Sequence, residues 1–130
     1  FQKGEYKKAL KISTVLLQNN SDNYFLQNMH GYILLGLNDY KASKKFFLNC
    51  IDLNKNFAEA YYLLGIANTN LNDLESSLEN FLTAIKLNPK FSDAYNNLAV
   101  ILYDQGNLKE SEYAFRKCLE IDPNNFLIIL

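Results

Sequence analysis

The chain has 130 residues, a hydrophobic fraction of 48% and a formal net charge of −1. This length and apolar content suit one folded domain with a buried core. Its 13 basic residues are scattered along the chain, which argues against binding of nucleic acid or anionic lipid through a charged patch. The longest apolar run, residues 61–67, is far shorter than the roughly 20 residues of a membrane-spanning helix, so we expect no membrane insertion.

A period of 34 residues runs through the chain without gaps, and such a period is typical of repeat architectures. Phe47, Phe81 and Phe115 fall at one repeated position, and Pro89 and Pro123 at another. Further repeated positions hold small or apolar residues: Ala9, Ser43, Ser77 and Ser111; Leu16, Cys50, Ala84 and Cys118; Leu17, Ile51, Ile85 and Leu119. Within each unit the apolar residues recur at helical spacing, so each unit is predicted to form two amphipathic helices.

The predicted helices follow one another along the chain with short turns between them. Their expected bounds are 5–19, 23–36, 39–53, 57–70, 73–87, 91–104 and 107–121. Asn38, Asn72 and Gly106 lie in the turns inside the units, where Asn and Gly accept the left-handed conformation that ends a helix. Asp39, Asp73 and Asn107 follow these residues and are expected to cap the next helix.

One domain is predicted over residues 1–130, and the repeat period divides it into units. A half repeat spans 1–23, full repeats span 24–57, 58–91 and 92–125, and a further helix starts at 126–130. The apolar residues at the two ends that lack repeat neighbours are Tyr6, Leu10, Leu17, Phe126 and Ile129. We therefore interpret the chain as a fragment of a longer repeat protein and expect self-association through its exposed terminal helices.

These units resemble the tetratricopeptide repeat family. Its pattern is an aromatic residue and a Leu-Gly pair on a first helix, then a small residue, an aromatic, another small residue and a proline. The residues of unit 58–91 that carry the resemblance are Tyr61, Leu64, Gly65, Ser77, Phe81, Ala84 and Pro89. Asn68 stands where the family has a tyrosine. The resemblance covers essentially the whole chain and implies an all-α, right-handed superhelical solenoid of antiparallel helix pairs.

Residues able to perform chemistry are few and dispersed. Cys50 and Cys118 are two repeat lengths apart, too far for a disulfide, so we expect both to be reduced and buried, which favours a cytoplasmic location. His30 shares a repeated position with Leu64 and Leu98, which indicates a packing role. The sequence contains no phosphate-binding loop and no nucleophile motif. We therefore predict no enzyme activity, no metal and no cofactor.

The free side of the first helices is the remaining candidate site, because the resemblance implies that it lines a concave groove. The predicted partner-binding residues are Asn28, Met29, Tyr32, Tyr62, Leu63, Ile66, Asn96, Asn97, Val100 and Tyr103. Helical projection also places Phe25, Leu35, Glu59, Thr69 and Asp93 there, and no Lys or Arg. Apolar side chains that the fold need not bury favour contact with a partner. Since no cation lies on this face, we expect affinity to depend only weakly on salt.

We interpret the chain as a protein–protein interaction scaffold that takes a peptide or a helix of a partner in its concave groove. Two subtypes of the family fit less well. The chaperone-tail binders use Lys and Arg where Glu59 and Asp93 stand, and only Asn97 matches the asparagine ladder of the GlcNAc-transferases. The alternative function is a substrate-docking or oligomerisation region of a larger enzyme, such as a glycosyl- or sulfotransferase. RNA binding is disfavoured by the acidic balance of the chain.

Overall fold

The structure, a computed structural model, describes residues 2–125. Within these residues it contains seven α-helices and no β-strand. The helices are α1 (Lys3–Asn19), α2 (Tyr24–Gly36), α3 (Tyr40–Leu53), α4 (Ala58–Asn70), α5 (Leu74–Leu87), α6 (Ser92–Asp104) and α7 (Leu108–Ile121). Each boundary lies within two residues of the one predicted from the sequence, because the residues that end each helix recur from unit to unit.

The helices form two layers. Each helix packs against the next one in the chain, and α2 also contacts α4. The first helices of the units, α2, α4 and α6, therefore lie on one side, and the second helices α1, α3, α5 and α7 on the other. This is the all-α solenoid of antiparallel pairs that the repeat period predicted. None of the helices within residues 2–125 combines the length and the apolar character needed to cross a membrane.

The turn inside each unit has the same backbone conformation. Asn38, Asn72 and Gly106 adopt positive φ angles of 63°, 62° and 83°, in the left-handed region that Asn and Gly accept at low cost. The side chain of Asp73 then accepts a hydrogen bond from the Ser76 main-chain N–H at 3.2 Å and caps α5. The left-handed turns and this cap are confirmed as predicted. The cap expected at Asn107 was wrong, because its side chain makes no cap hydrogen bond at the start of α7.

Buried phenylalanines form the centre of the described core. Phe47 and Phe81 are each 0% exposed, between the two helices of their units. The neighbouring small position is also buried, and its serine has a hydrogen-bonding role. Ser77 Oγ donates to the Gly65 carbonyl oxygen at 3.0 Å, and Ser111 Oγ donates to the Ala99 carbonyl oxygen at 2.8 Å. A buried serine is therefore tolerated there because its hydroxyl joins the two helices of the pair.

The two cysteines and the histidine are buried, as predicted. Cys50 and Cys118 are both free. His30 Nδ1 forms a 2.7 Å hydrogen bond with Ser13 Oγ of α1, and the His30 ring packs edge-on against Phe46 with 4.3 Å between ring centroids. Burial lowers the pKa of His30 below its ordinary value. The packing role of His30 is therefore confirmed.

The apolar side chains of α1 that were expected to be uncovered are half-buried in the structure. Tyr6, predicted to be uncovered, is half-buried because its ring lies against Gly36 at the end of α2. Leu10 and Leu17 are half-buried as well. The apolar side chains of α1 that face solvent are Ile12, Val15 and Leu16, at 62%, 61% and 44% exposure. The predicted contacts of Phe126 and Ile129 lie outside the described residues.

Candidate functional site: the concave face

The first helices α2, α4 and α6 place their free sides next to one another, and we call this surface the concave face. A hydrogen bond joins two of these helices directly: Asn97 Nδ2 of α6 donates to the Tyr62 hydroxyl oxygen of α4 at 3.3 Å. The contact of α2 with α4 continues the surface towards the amino-terminal end. Side chains from three successive units therefore share one surface, as a site for an extended partner requires.

The structure makes some of the ten predicted site residues accessible and buries others. Met29, Tyr32 and Tyr103 are exposed, and Tyr62, Ile66, Asn97 and Val100 are half-buried. By contrast, Asn28, Leu63 and Asn96 are buried, at 4%, 4% and 3% exposure. These three residues therefore cannot present their side chains to a partner in this arrangement, and their assignment to an accessible surface was wrong.

The burial of these three residues has a physical cause. Leu63 joins a core cluster with Phe47, so its side chain packs inward between units. Asn28 and Asn96 share the repeated position of Tyr62, whose ring lies against Phe81 of the second helix. A long tyrosine at this position still reaches the surface, whereas the shorter asparagine ends beneath it.

Tyr62 has aromatic neighbours on two sides. Its ring centroid lies 5.9 Å from that of Phe81 and 4.8 Å from that of Phe91, with both pairs tilted. Phe91 immediately precedes α6 and is half-buried. Such contacts fix the ring in place and stabilise it beyond the area that it buries. Phe91 begins the helix predicted over 91–104 but was not among the predicted site residues, because only the tertiary structure places its ring against Tyr62.

Asp93 and Asn97 complete a small polar cluster around the Tyr62 hydroxyl. Asn97 Nδ2 also donates to the Asp93 main-chain oxygen at 2.9 Å. The Asp93 carboxylate accepts a hydrogen bond at Oδ1 from Asn125 Nδ2 at 3.0 Å. Burial, and after it the negative charge of Asp93, raises the pKa of Tyr62 to about 12, so its hydroxyl stays protonated at neutral pH.

The charge of the concave face has one sign. Helices α2, α4 and α6 contain no Lys or Arg, and their acidic residues are Glu59, Asp93 and Asp104. Because the basic residues lie on the second helices and in the turns, the two layers differ in charge. The concave face therefore presents carboxylates without a cation of its own layer beside them.

Three buried asparagines of the described helices have side-chain oxygen atoms that accept no hydrogen bond. Among residues 2–125, the Oδ1 atoms of Asn28, Asn68 and Asn96 are buried and have no hydrogen-bond donor. Such an atom costs about 1–3 kcal/mol of stability, so natural proteins keep few of them. Asn68 lies in the core between α4 and α5, where its Nδ2 donates to Asn80 Oδ1 at 2.8 Å.

The described part of the chain offers no cluster of metal-ligating side chains. Burial, followed by the negative charge of Glu59, raises the pKa of the Cys50 thiol to about 11. Burial also raises the pKa of Cys118. Both thiols therefore carry their protons at neutral pH and are poor nucleophiles. The ring of His30 forms a hydrogen bond with Ser13 and packs against Phe46.

A cavity lies between α5, α6 and α7, and we call it the outer groove. It has a volume of about 630 Å³ and an apolar lining that includes Leu102 and Tyr113. Ala114 lies at its buried bottom, at 2% exposure, and Phe46 and Asn80 hold the same repeated position in the preceding units. The sequence predicted no groove here, although position 114 holds a small residue. Its polar residues lie at the end where α6 turns into α7, so we favour the concave face, whose polar groups lie along its length.

Comparison with known families agrees with the repeat geometry. Family profiles described as "Tetratricopeptide repeat" match residues 26–57 and 92–125, and a profile described as "TPR repeat" matches residues 67–106. The chain belongs to the tetratricopeptide repeat family. Its family signature therefore spans the second to seventh helices of the described structure. The comparison with curated proteins gives no match.

Solved tetratricopeptide structures share this fold. MamA has a TM-score of 0.87 and 23% identity, over 97% of this chain and 76% of that one. MamA 41-end from Desulfovibrio magneticus RS-1 has a TM-score of 0.84 and 23% identity, over 94% and 69% of the two chains. YrrB, described as a TPR protein with an unusual peptide-binding site, has a TM-score of 0.84 and 25% identity, over 98% of this chain and 66% of YrrB.

Proposed function

We propose that this chain is a protein-interaction scaffold whose concave face binds an extended peptide or a helix of a partner protein. The observation that carries the proposal is the Tyr62–Asn97 hydrogen bond at 3.3 Å, which joins neighbouring units at the middle of an aromatic and amide-bearing surface. The family supports an interaction scaffold in general, and the peptide-binding site of YrrB supports a peptide as the partner.

Tyr62 and Asn97 have complementary roles in this proposal. Tyr62 is an aromatic anchor held by Phe81 and Phe91, and buried aromatic anchors carry most of the energy of many interfaces. Asn97 uses Nδ2 for both of its described hydrogen bonds. Its Oδ1 can therefore accept from a main-chain N–H of a bound peptide and set the register of that peptide.

The test begins with a peptide selected from a phage-displayed library of random short peptides on the 130-residue chain. Tyr62→Ala is expected to weaken binding of that peptide by more than about 1 kcal/mol. Asn97→Ala is expected to weaken it as well. Two control variants change other surfaces: Lys86→Ala removes an exposed charge from α5, and Leu82→Glu places a charge in the outer groove at an exposed leucine.

Both controls should bind the peptide as the parent chain does, and circular dichroism melts should show that all variants fold. An affinity that does not change with Tyr62→Ala and Asn97→Ala but falls with Leu82→Glu would move the site to the outer groove. A fall in affinity with Lys86→Ala alone would place the binding site on the outer side of α5. Either result would refute the assignment to the concave face.

A further inference from the structure

We propose that the concave face binds its peptide through one arginine side chain, which lies against the Tyr62 ring and pairs with the Asp93 carboxylate. This inference rests on the proposed function and names the class of partner. It follows from the charge of the surface and the geometry around Tyr62.

Charge complementarity comes first. The three first helices contain Glu59, Asp93 and Asp104 and no Lys or Arg, although the whole chain has a net charge of only −1. The negative charge is therefore a property of this face rather than of the protein. A cationic segment of a partner is attracted to the concave face, and an acidic segment is repelled.

The geometry around Tyr62 suits a basic side chain with an apolar stem. The Tyr62 ring offers an aromatic surface, and its hydroxyl is linked through Asn97 to the same turn of α6 that carries Asp93. Because Asn125 binds Asp93 Oδ1, the carboxylate is held in position and its second oxygen is left for a ligand. An aromatic face beside a carboxylate is a favourable environment for a guanidinium group.

The shape of the guanidinium group favours arginine over lysine. The site combines the half-buried Tyr62 ring with the Asp93 carboxylate, which Asn125 holds in position. A planar guanidinium group can stack on an aromatic ring and donate to a carboxylate at the same time. A guanidinium group carries five N–H donors in a planar fork, whereas an ammonium group acts as a compact point charge.

This inference revises the weak salt dependence that the sequence analysis predicted. That expectation considered only cations of the protein, whereas the pair proposed here joins a cation of the partner to Asp93. Salt screens an accessible pair of this kind. Affinity should therefore fall as ionic strength rises between about 0.05 and 0.5 M.

The test runs the same random-peptide selection on three chains: the parent, Asp93→Asn and Glu79→Gln. Asn at position 93 still has an Oδ1 atom to accept from Asn125, so this variant removes the charge and keeps the local bond. Glu79 is an exposed residue of α5, so Glu79→Gln changes the net charge equally on the other layer. Arginine should be enriched at one peptide position with the parent and with Glu79→Gln, and not with Asp93→Asn.

Synthetic versions of an enriched peptide, with Arg, Lys or Gln at that position, then give affinities by fluorescence anisotropy. The Gln peptide should bind the parent chain about tenfold more weakly than the Arg peptide, with the Lys peptide between them. For Asp93→Asn the Arg and Gln peptides should bind alike.

The outcomes separate this inference from the proposed function. Selected peptides that need Tyr62 but show no enrichment of arginine would overturn the inference and leave the concave face as the site. Equal arginine enrichment on the parent and on Asp93→Asn would also overturn it. A selection that yields no binding peptide on the parent chain would count against both.

Discussion

Phe81 packs so closely over Gly65 that a Cβ atom added at residue 65 would lie 2.7 Å from the Phe81 Cε1 atom. The preceding unit repeats this relationship, with 2.7 Å between an added Cβ at Gly31 and Phe47 Cε1. Glycine at this position lets the first helix approach the aromatic ring of the second helix without a gap. The same contact in these two units sets the spacing of their paired helices, whereas the next unit has Ala99 at this position.

Gly65→Ala should therefore destabilise the chain, although alanine is the better helix former in isolation. The added methyl group overlaps the fully buried Phe81 ring, and overpacking of this kind costs about 1–3 kcal/mol. Gly4→Ala is the matched control, because an added Cβ in that exposed part of α1 meets nothing within 4 Å. Thermal melts should show a lower midpoint for Gly65→Ala only. A midpoint for Gly65→Ala at or above that of the parent would contradict this account of the core.

The buried Asn68–Asn80 pair predicts a stabilising double variant. The fourth unit has Leu102 and Ala114 at these two positions. Asn68→Leu with Asn80→Ala copies that pair and removes the unpaired Asn68 Oδ1, so it should raise the free energy of unfolding by about 1 kcal/mol. Asn68→Leu alone should gain less, because Asn80 loses its donor. Urea unfolding measures both, and a double variant less stable than the parent would show that the asparagine pair stabilises the core.

The raised pKa of Cys50 predicts slow alkylation of its thiol and a dependence of stability on pH. With the pKa of Cys50 raised from 9.0 to about 11, iodoacetamide should modify it about a hundredfold more slowly in the native chain than in guanidinium at the same pH. A folded pKa above the unfolded one means that the unfolded chain loses its proton first as pH rises. The contribution of Cys50 to stability is thus complete below pH 9 and is lost between pH 9 and about 11. Cys50→Ala should flatten this part of the profile, and equal native and unfolded alkylation rates would contradict its burial.

The exposed apolar side of α1 predicts self-association at the amino-terminal end. Ile12, Val15 and Leu16 face solvent, and the first two are more than three-fifths exposed. Sedimentation velocity should show association of the parent chain that increases with concentration, since contact between chains buries these side chains. Ile12→Glu with Leu16→Glu should abolish it, whereas Leu82→Glu on α5, also at an exposed leucine, should not. A parent chain that stays monomeric at high concentration would reject this interface.

The repeat period and the turn residues determined the fold from the sequence alone. Asn38, Asn72 and Gly106 recur at one position because few other residues accept the left-handed conformation that ends the first helix of each unit. Phe47 and Phe81 recur because one large side chain fills the space between two paired helices. Such signals are local or strictly periodic, so they predict where helices begin, end and face.

Only the tertiary structure decided how much of each first helix a partner could reach. Helical projection placed Asn28 and Tyr62 on the same face, but the length of the side chain and the cover from neighbouring units buried Asn28 and left Tyr62 half-exposed. The contact of Asn97 with Tyr62 crosses from one unit to the next over 35 residues, so no local pattern could reveal it. Periodicity determines the direction of a side chain, whereas the packing of adjacent helices determines its accessibility and its hydrogen bonds.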